Sequence, residues 1–70
     1  MNKFLIVLEP TPTGFSAYSP DLPGCIATGA TVPETETNMY EAIQMHLEGL
    51  REDNTPIPPS SSIAEYLVLS

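Results

Sequence analysis

Lys3 and Arg51 are the only strong cations that this 70-residue chain sets against nine acids, which leaves a formal net charge of −7. Such a surface repels phosphate backbones. It argues against direct nucleic-acid binding and makes a basic protein the natural complement. Cysteine is almost absent. Cys25 stands alone, so neither an internal disulfide nor a cysteine metal cluster can form, a pattern that suits a reducing cytoplasm. His46 is the one histidine, and with no second histidine or cysteine cluster to join it, a metal role lacks partners. Long apolar runs are missing too. Phe4–Leu8 covers five residues, too short for a membrane span and without the shape of a signal peptide. These absences predict a soluble, cytoplasmic protein that takes no cofactor and contacts no membrane.

What is present fits one small domain, residues 1–70. A chain of this length buries only about 60% of its unfolded surface, so its own core is marginal and self-association is expected. The 41% hydrophobic content is too high for a disordered tail.

The pattern along the chain is strand, strand, strand, helix, strand. Lys3–Glu9 reads as a first strand, with Phe4, Ile6 and Leu8 on one face and Leu5 and Val7 on the other. Pro10–Gly14 is a turn, and Phe15–Ser19 returns as the second arm of an antiparallel hairpin. Pro20 and Pro23 flank Asp21 and Leu22, and Gly24 follows. Each proline fixes its own φ and removes a donor, so this segment is a rigid connection. Cys25–Ala30 is a third strand, weakened by Gly29 and its alanines. Thr31, Val32, Pro33 and Glu34 fit a capping box that opens a helix. Met39, Ile43, His46, Leu47 and Leu50 then form its apolar stripe, with Glu34, Glu41 and Glu48 away from it. Asn54 and Pro56 close the helix. The proline- and serine-rich stretch Thr55–Ser62 is irregular, and Ala64–Leu69 reads as a fourth strand. One helix covers one sheet face, yet the first and fourth strands are apolar on both. The uncovered face calls for a second copy or another partner.

Chemistry is sparsely supported. A two-metal nuclease needs several carboxylates converging on magnesium, and the strands offer only Glu9 and Glu65, each near a strand end. Cys25 reads as a small buried apolar residue and His46 as a half-buried histidine on the stripe. Binding is the better-supported role. Asp21 either accepts N–H bonds within its turn or meets a partner's cation. Glu41, Glu48 and Glu52 form a solvated face or attract a basic protein. Tyr18 suits an interface or a core edge.

The run Tyr18-Ser19-Pro20-Asp21-Leu22-Pro23-Gly24-Cys25 resembles the aromatic-x-Pro-Asp-Leu-Pro-Gly-Cys signature of HicB-type antitoxins. The helix start Thr31–Glu34, the helix end Leu47–Leu50 and the exit Pro56–Pro58 are similar to the same family, so the resemblance spans roughly Phe4 to Val68. It implies an α+β fold, β-β-β-α-β, like a partly degraded ribonuclease H, with one helix on a four-stranded mixed sheet. It implies no catalysis, and inhibition by occluding a small basic HicA-type toxin that cleaves messenger RNA. Asp21, Tyr18, Glu41, Glu48 and Glu52 are the residues assigned to that contact, in a dimer or tetramer. Many members add a C-terminal DNA-binding domain, for which this chain leaves no room. The alternative is a stand-alone homo-oligomeric adaptor without a toxin.

Overall fold

The computed structural model describes residues 3–70. Three strands and one helix follow in order: β1, Val7–Thr11; β2, Gly14–Tyr18; β3, Ile26–Gly29; α1, Val32–Glu52. The sheet runs β1-β2-β3 and is antiparallel throughout. The domain is thus α+β, with a three-stranded sheet where four mixed strands were expected.

The first strand begins later than the apolar run that announced it. Its ladder pairs Val7 with Tyr18 and ends with Thr11 opposite Gly14. Pro12 and Thr13 alone form the loop, so Pro10 and Thr11, expected in the turn, belong to the strand. Pro10 is tolerated because β1 is a sheet edge, where a missing donor breaks no interior ladder. Residues 4–6 have nothing opposite them to pair with, since β2 stops at Tyr18 ahead of Pro20. The buried Ser19 hydroxyl nonetheless donates to the Leu5 carbonyl at 2.8 Å and holds the segment in line.

The helix is built as its ends foretell. Thr31 lies extended, and its hydroxyl accepts from the Glu34 N–H at 3.2 Å, which satisfies one free donor of the first turn. At the far end Asn54 takes a left-handed φ of 55°. The Asn54 N–H then donates to the Arg51 carbonyl at 3.1 Å and the Thr55 N–H to the Leu50 carbonyl at 2.8 Å, the paired closure of a Schellman motif. At the start, Thr35 packs against Gly29. A Cβ at Gly29 would lie 2.6 Å from the Thr35 hydroxyl and 2.8 Å from its backbone nitrogen. The glycine that weakens β3 therefore lets the helix approach.

The core lies between sheet and helix. Ala17, Leu22, Cys25, Met39 and Leu47 are buried, and Phe4, Ile6, Leu8, Ala27, Ile43 and Ile57 pack around them. Alternation fixes the sheet's two faces. Leu8, Ala17 and Ala27 look toward the helix. Val7, Tyr18 and Ile26, which are register partners, form a row on the reverse face. That row is apolar and part-exposed, with Ile26 68% exposed. The next row, Glu9, Ser16 and Thr28, is polar.

The expected fourth strand does not form. Ala64–Leu69 carries no ladder, and Ile63, Tyr66, Leu67, Val68 and Leu69 are 83 to 101% exposed. After Ile57 returns to the core, Pro58 and Pro59 and the attachment of Ser61 and Ser62 to Asp21 set the chain's direction. Beyond Ser62 it leaves the domain.

Candidate partner-binding surfaces

Two backbone bonds close the Pro20–Gly24 segment: the Leu22 N–H to the Ser19 carbonyl and the Cys25 N–H to the Leu22 carbonyl, both at 3.1 Å. Gly24 has a φ of 82°, the left-handed conformation that glycine adopts without a Cβ penalty. The turn folds inward, so Leu22 is wholly buried. Leu22 is a core residue carried by a loop, and its only sequence signal is an apolar side chain set between prolines.

Asp21 neither satisfies its own turn nor stands free. Its carboxylate accepts from the Ser62 hydroxyl at 2.8 Å, from the Ser62 N–H at 3.1 Å and, more weakly, from the Ser61 hydroxyl at 3.4 Å. The Ser62 hydroxyl first, then the Ser62 N–H and the Ser61 bonds, hold this carboxyl below its ordinary value of 3.8, because each stabilises the charged form. In the sequence Ser61 and Ser62 belong only to a polar, irregular connection. Nothing in the sequence couples them to an aspartate 40 and 41 residues away.

Tyr18 is 40% exposed at the centre of the reverse-face row, between Val7 and Ile26. Glu41, Glu48 and Glu52 are exposed on α1. At about 100° per residue, these three and Glu34 fall within an arc of some 40°, opposite the buried Met39. They form one acidic stripe along the outside of the helix. The five assigned residues thus occupy three places: Tyr18 behind the sheet, the three glutamates outside the helix, and Asp21 on the loop that fastens the C-terminal segment.

The remaining candidates are placed as side chains of a packed domain. Cys25 is buried, and burial pushes its thiol above the ordinary range, which keeps it protonated and unreactive. His46 is half-buried beside Cys25 and Ala42 in a shallow depression. Glu9 lies exposed on β1, and Glu65 on the projecting segment. Among the described residues no group of three His, Cys, Asp or Glu could hold a metal ion. No described helix is long and apolar enough to cross a membrane.

A proline-braced turn, an antiparallel sheet and one helix bearing an acidic stripe define a small α+β domain built to present surfaces. Within that class the chain belongs to the HicB-like antitoxins of bacterial toxin–antitoxin systems, whose family model matches residues 4–68. It is 39% identical over 62 residues to an uncharacterised 14.9 kDa protein of the rep-hol intergenic region of Haemophilus phage HP1. That alignment covers 89% of this chain and 47% of the phage protein, so the chain spans about half of that relative's length. A UPF0150 protein of Synechocystis is 35% identical over 54 residues, covering 77% of this chain and 68% of that one. Among solved structures, a chain of the HicA3 and HicB3 toxin–antitoxin complex superposes with a TM-score of 0.66 and 31% identity, covering 87% of this chain and 72% of that chain.

Proposed function

We propose that this protein is an antitoxin that binds a basic HicA-type toxin and inhibits it by occluding its RNA-cleaving surface, without catalysis of its own. The observation that carries the reading is the acidic stripe of Glu34, Glu41, Glu48 and Glu52, in a chain with only two strong cations. Membership of the HicB-like antitoxins and the likeness to a chain of a HicA3–HicB3 complex support it. In this reading the glutamates steer and hold the toxin. Asp21 acts first on its own chain by fixing Ser61 and Ser62, and meets the toxin only at the rim of the contact. The 1–70 unit works in the cytoplasm as one domain.

Growth rescue tests it. Co-expression with a small basic HicA-type toxin restores growth, and Glu41→Lys/Glu48→Lys/Glu52→Lys abolishes the rescue while preserving the helical circular dichroism. Failure of the unmodified chain to rescue overturns the proposal. A second reading, a homo-oligomeric adaptor with no toxin, draws on the exposed Val7–Tyr18–Ile26 row and the apolar segment beyond Ser62. Affinity capture from the native cell separates the two: a basic partner favours the antitoxin, and recovery of this chain alone favours the adaptor.

A further inference from the structure

Two unfinished features of the molecule have complementary shapes. The first is the outer edge of the sheet. β1 pairs on one side only, and residues 4–6 extend that edge without a ladder partner. Beside them a groove of about 490 Å³ opens between Phe4 and Ile6 on the sheet side and Met39, Tyr40, Ile43 and Leu47 on the helix. On the opposite face of the same edge lies the exposed apolar row headed by Val7. A strand added here would be covered on both faces, and so would have to be apolar on both.

The second feature is such a strand. Ile63, Leu67 and Leu69 alternate with Tyr66 and Val68, in an extended segment almost wholly in water. Glu65, on the face of Ile63, Leu67 and Leu69, is its single charge, and the groove brings Lys3 as well as Glu36, so two copies of an acidic chain meet here with little net repulsion. Ile63 and Ala64 still lie beside Lys3, Phe4 and Leu5 of their own chain, but beyond them the domain does not bury the segment. With the segment projecting, the radius of gyration is 13.5 Å, against about 11 Å for a compact chain of this length. The grip of Asp21 on Ser61 and Ser62 fixes where the segment departs and in which direction.

We propose that two copies exchange these segments: residues 63–69 of each chain lie as an added strand along the residue 4–9 edge of the other. One face of the segment fills the groove against α1, and the other joins the Val7–Tyr18–Ile26 row. Main-chain bonds to the vacant edge supply affinity, and the alternating side chains supply register. The exchange is reciprocal and therefore closes as a two-fold dimer. Ten large apolar side chains per pair, at on the order of 100 Å² each and with as much again from the surfaces they cover, exceed the roughly 1,000 Å² of a specific interface. Pro10 offers no donor, so the added ladder lies N-terminal to it. This inference concerns self-association alone and is independent of any toxin.

Sedimentation of the full chain alone, across the micromolar range, tests it. The expected mass is that of a dimer. Leu67→Pro, which removes a donor from a residue 84% exposed in its own chain, weakens association at least tenfold without changing the helical circular dichroism. In an equal mixture of isotope-labelled and unlabelled protein, filtered nuclear Overhauser effects link Leu67 and Val68 to Phe4, Ile6 and Leu8 between copies. A monomer, whether its segment is mobile or folded onto its own edge, overturns the proposal. So does a dimer that Leu67→Pro leaves intact, or one lacking those inter-copy effects. None of these outcomes bears on toxin inhibition, which growth rescue measures separately.

Discussion

Asp21 shows how one carboxylate can join two distant parts of a small domain. It accepts three hydrogen bonds from Ser61 and Ser62, and its titration is lowered as a result. The sign of the pH dependence follows. A carboxyl held below its unfolded value contributes fully above that value, near 3.8, and the contribution is lost as pH falls through the lowered native value. Asp21→Asn therefore reduces stability at neutral pH and flattens the acid limb of a plot of stability against pH. Urea unfolding between pH 2 and 7 measures both effects, and an unchanged acid limb would show that the attachment contributes nothing. The motif was legible from its prolines and glycine, because fixed φ values and a donor deficit act locally. The partners of Asp21 were not, because side-chain bonds across 41 positions leave no local trace. Leu22 lies between these cases: its apolarity was visible, but only the inward fold of the turn makes it a core residue.

The elements followed their local chemistry closely. Thr31, Pro33 and Asn54 bounded α1 because caps depend on a few neighbouring side chains. Its Met39–Leu50 stripe faces the core because helical spacing leaves it little choice. The first strand starts at Val7 and not at Lys3 for a corresponding reason: apolarity marks burial, whereas a ladder also needs an opposing backbone, and β2 supplies none beyond Tyr18. Two glycines set the contact between sheet and helix apart from the helix interior. Gly29→Ala places a methyl against the Thr35 backbone and hydroxyl and should cost about 1–3 kcal/mol, as overpacking does. At Gly49 an added Cβ meets nothing within 4 Å, so Gly49→Ala should stabilise by up to about 1 kcal/mol through helix propensity. Urea midpoints moving in opposite directions would confirm that α1 meets the sheet too closely at Gly29 for a side chain and has room for one at Gly49.

Across the whole molecule, charge gathers on the outside of the helix and most exposed apolar surface on the last segment. The acidic stripe lies outside the helix, where Tyr40 and Met45 are also exposed, while the largest uncovered apolar area is on the segment beyond Ser62, with a smaller row behind the sheet. A toxin steered by the stripe should associate more slowly as salt rises, because screening acts over about 10 Å at 0.1 M ionic strength. Stopped-flow association at several salt concentrations should give a steep decline for the natural chain and a nearly flat line for Glu41→Lys/Glu48→Lys/Glu52→Lys. A flat line for both would assign the contact to apolar surface instead. The demand for a covered second face was legible from strands apolar on both sides, and the Val7–Tyr18–Ile26 row answers it in part. The position of the last segment was not, because strand-forming residues specify a conformation and leave the choice of neighbour open.

The bridge from Asp21 to Ser62 also has a kinetic meaning. It spans 41 positions, so forming it before the rest would tie down a long loop for a few exposed hydrogen bonds, and it is expected to form late. A contact completed after the rate-limiting barrier slows escape from the native state and does nothing to hasten arrival. Acid should therefore shorten the lifetime of the folded protein while leaving its refolding speed almost untouched, with the outer segment the first part to come loose.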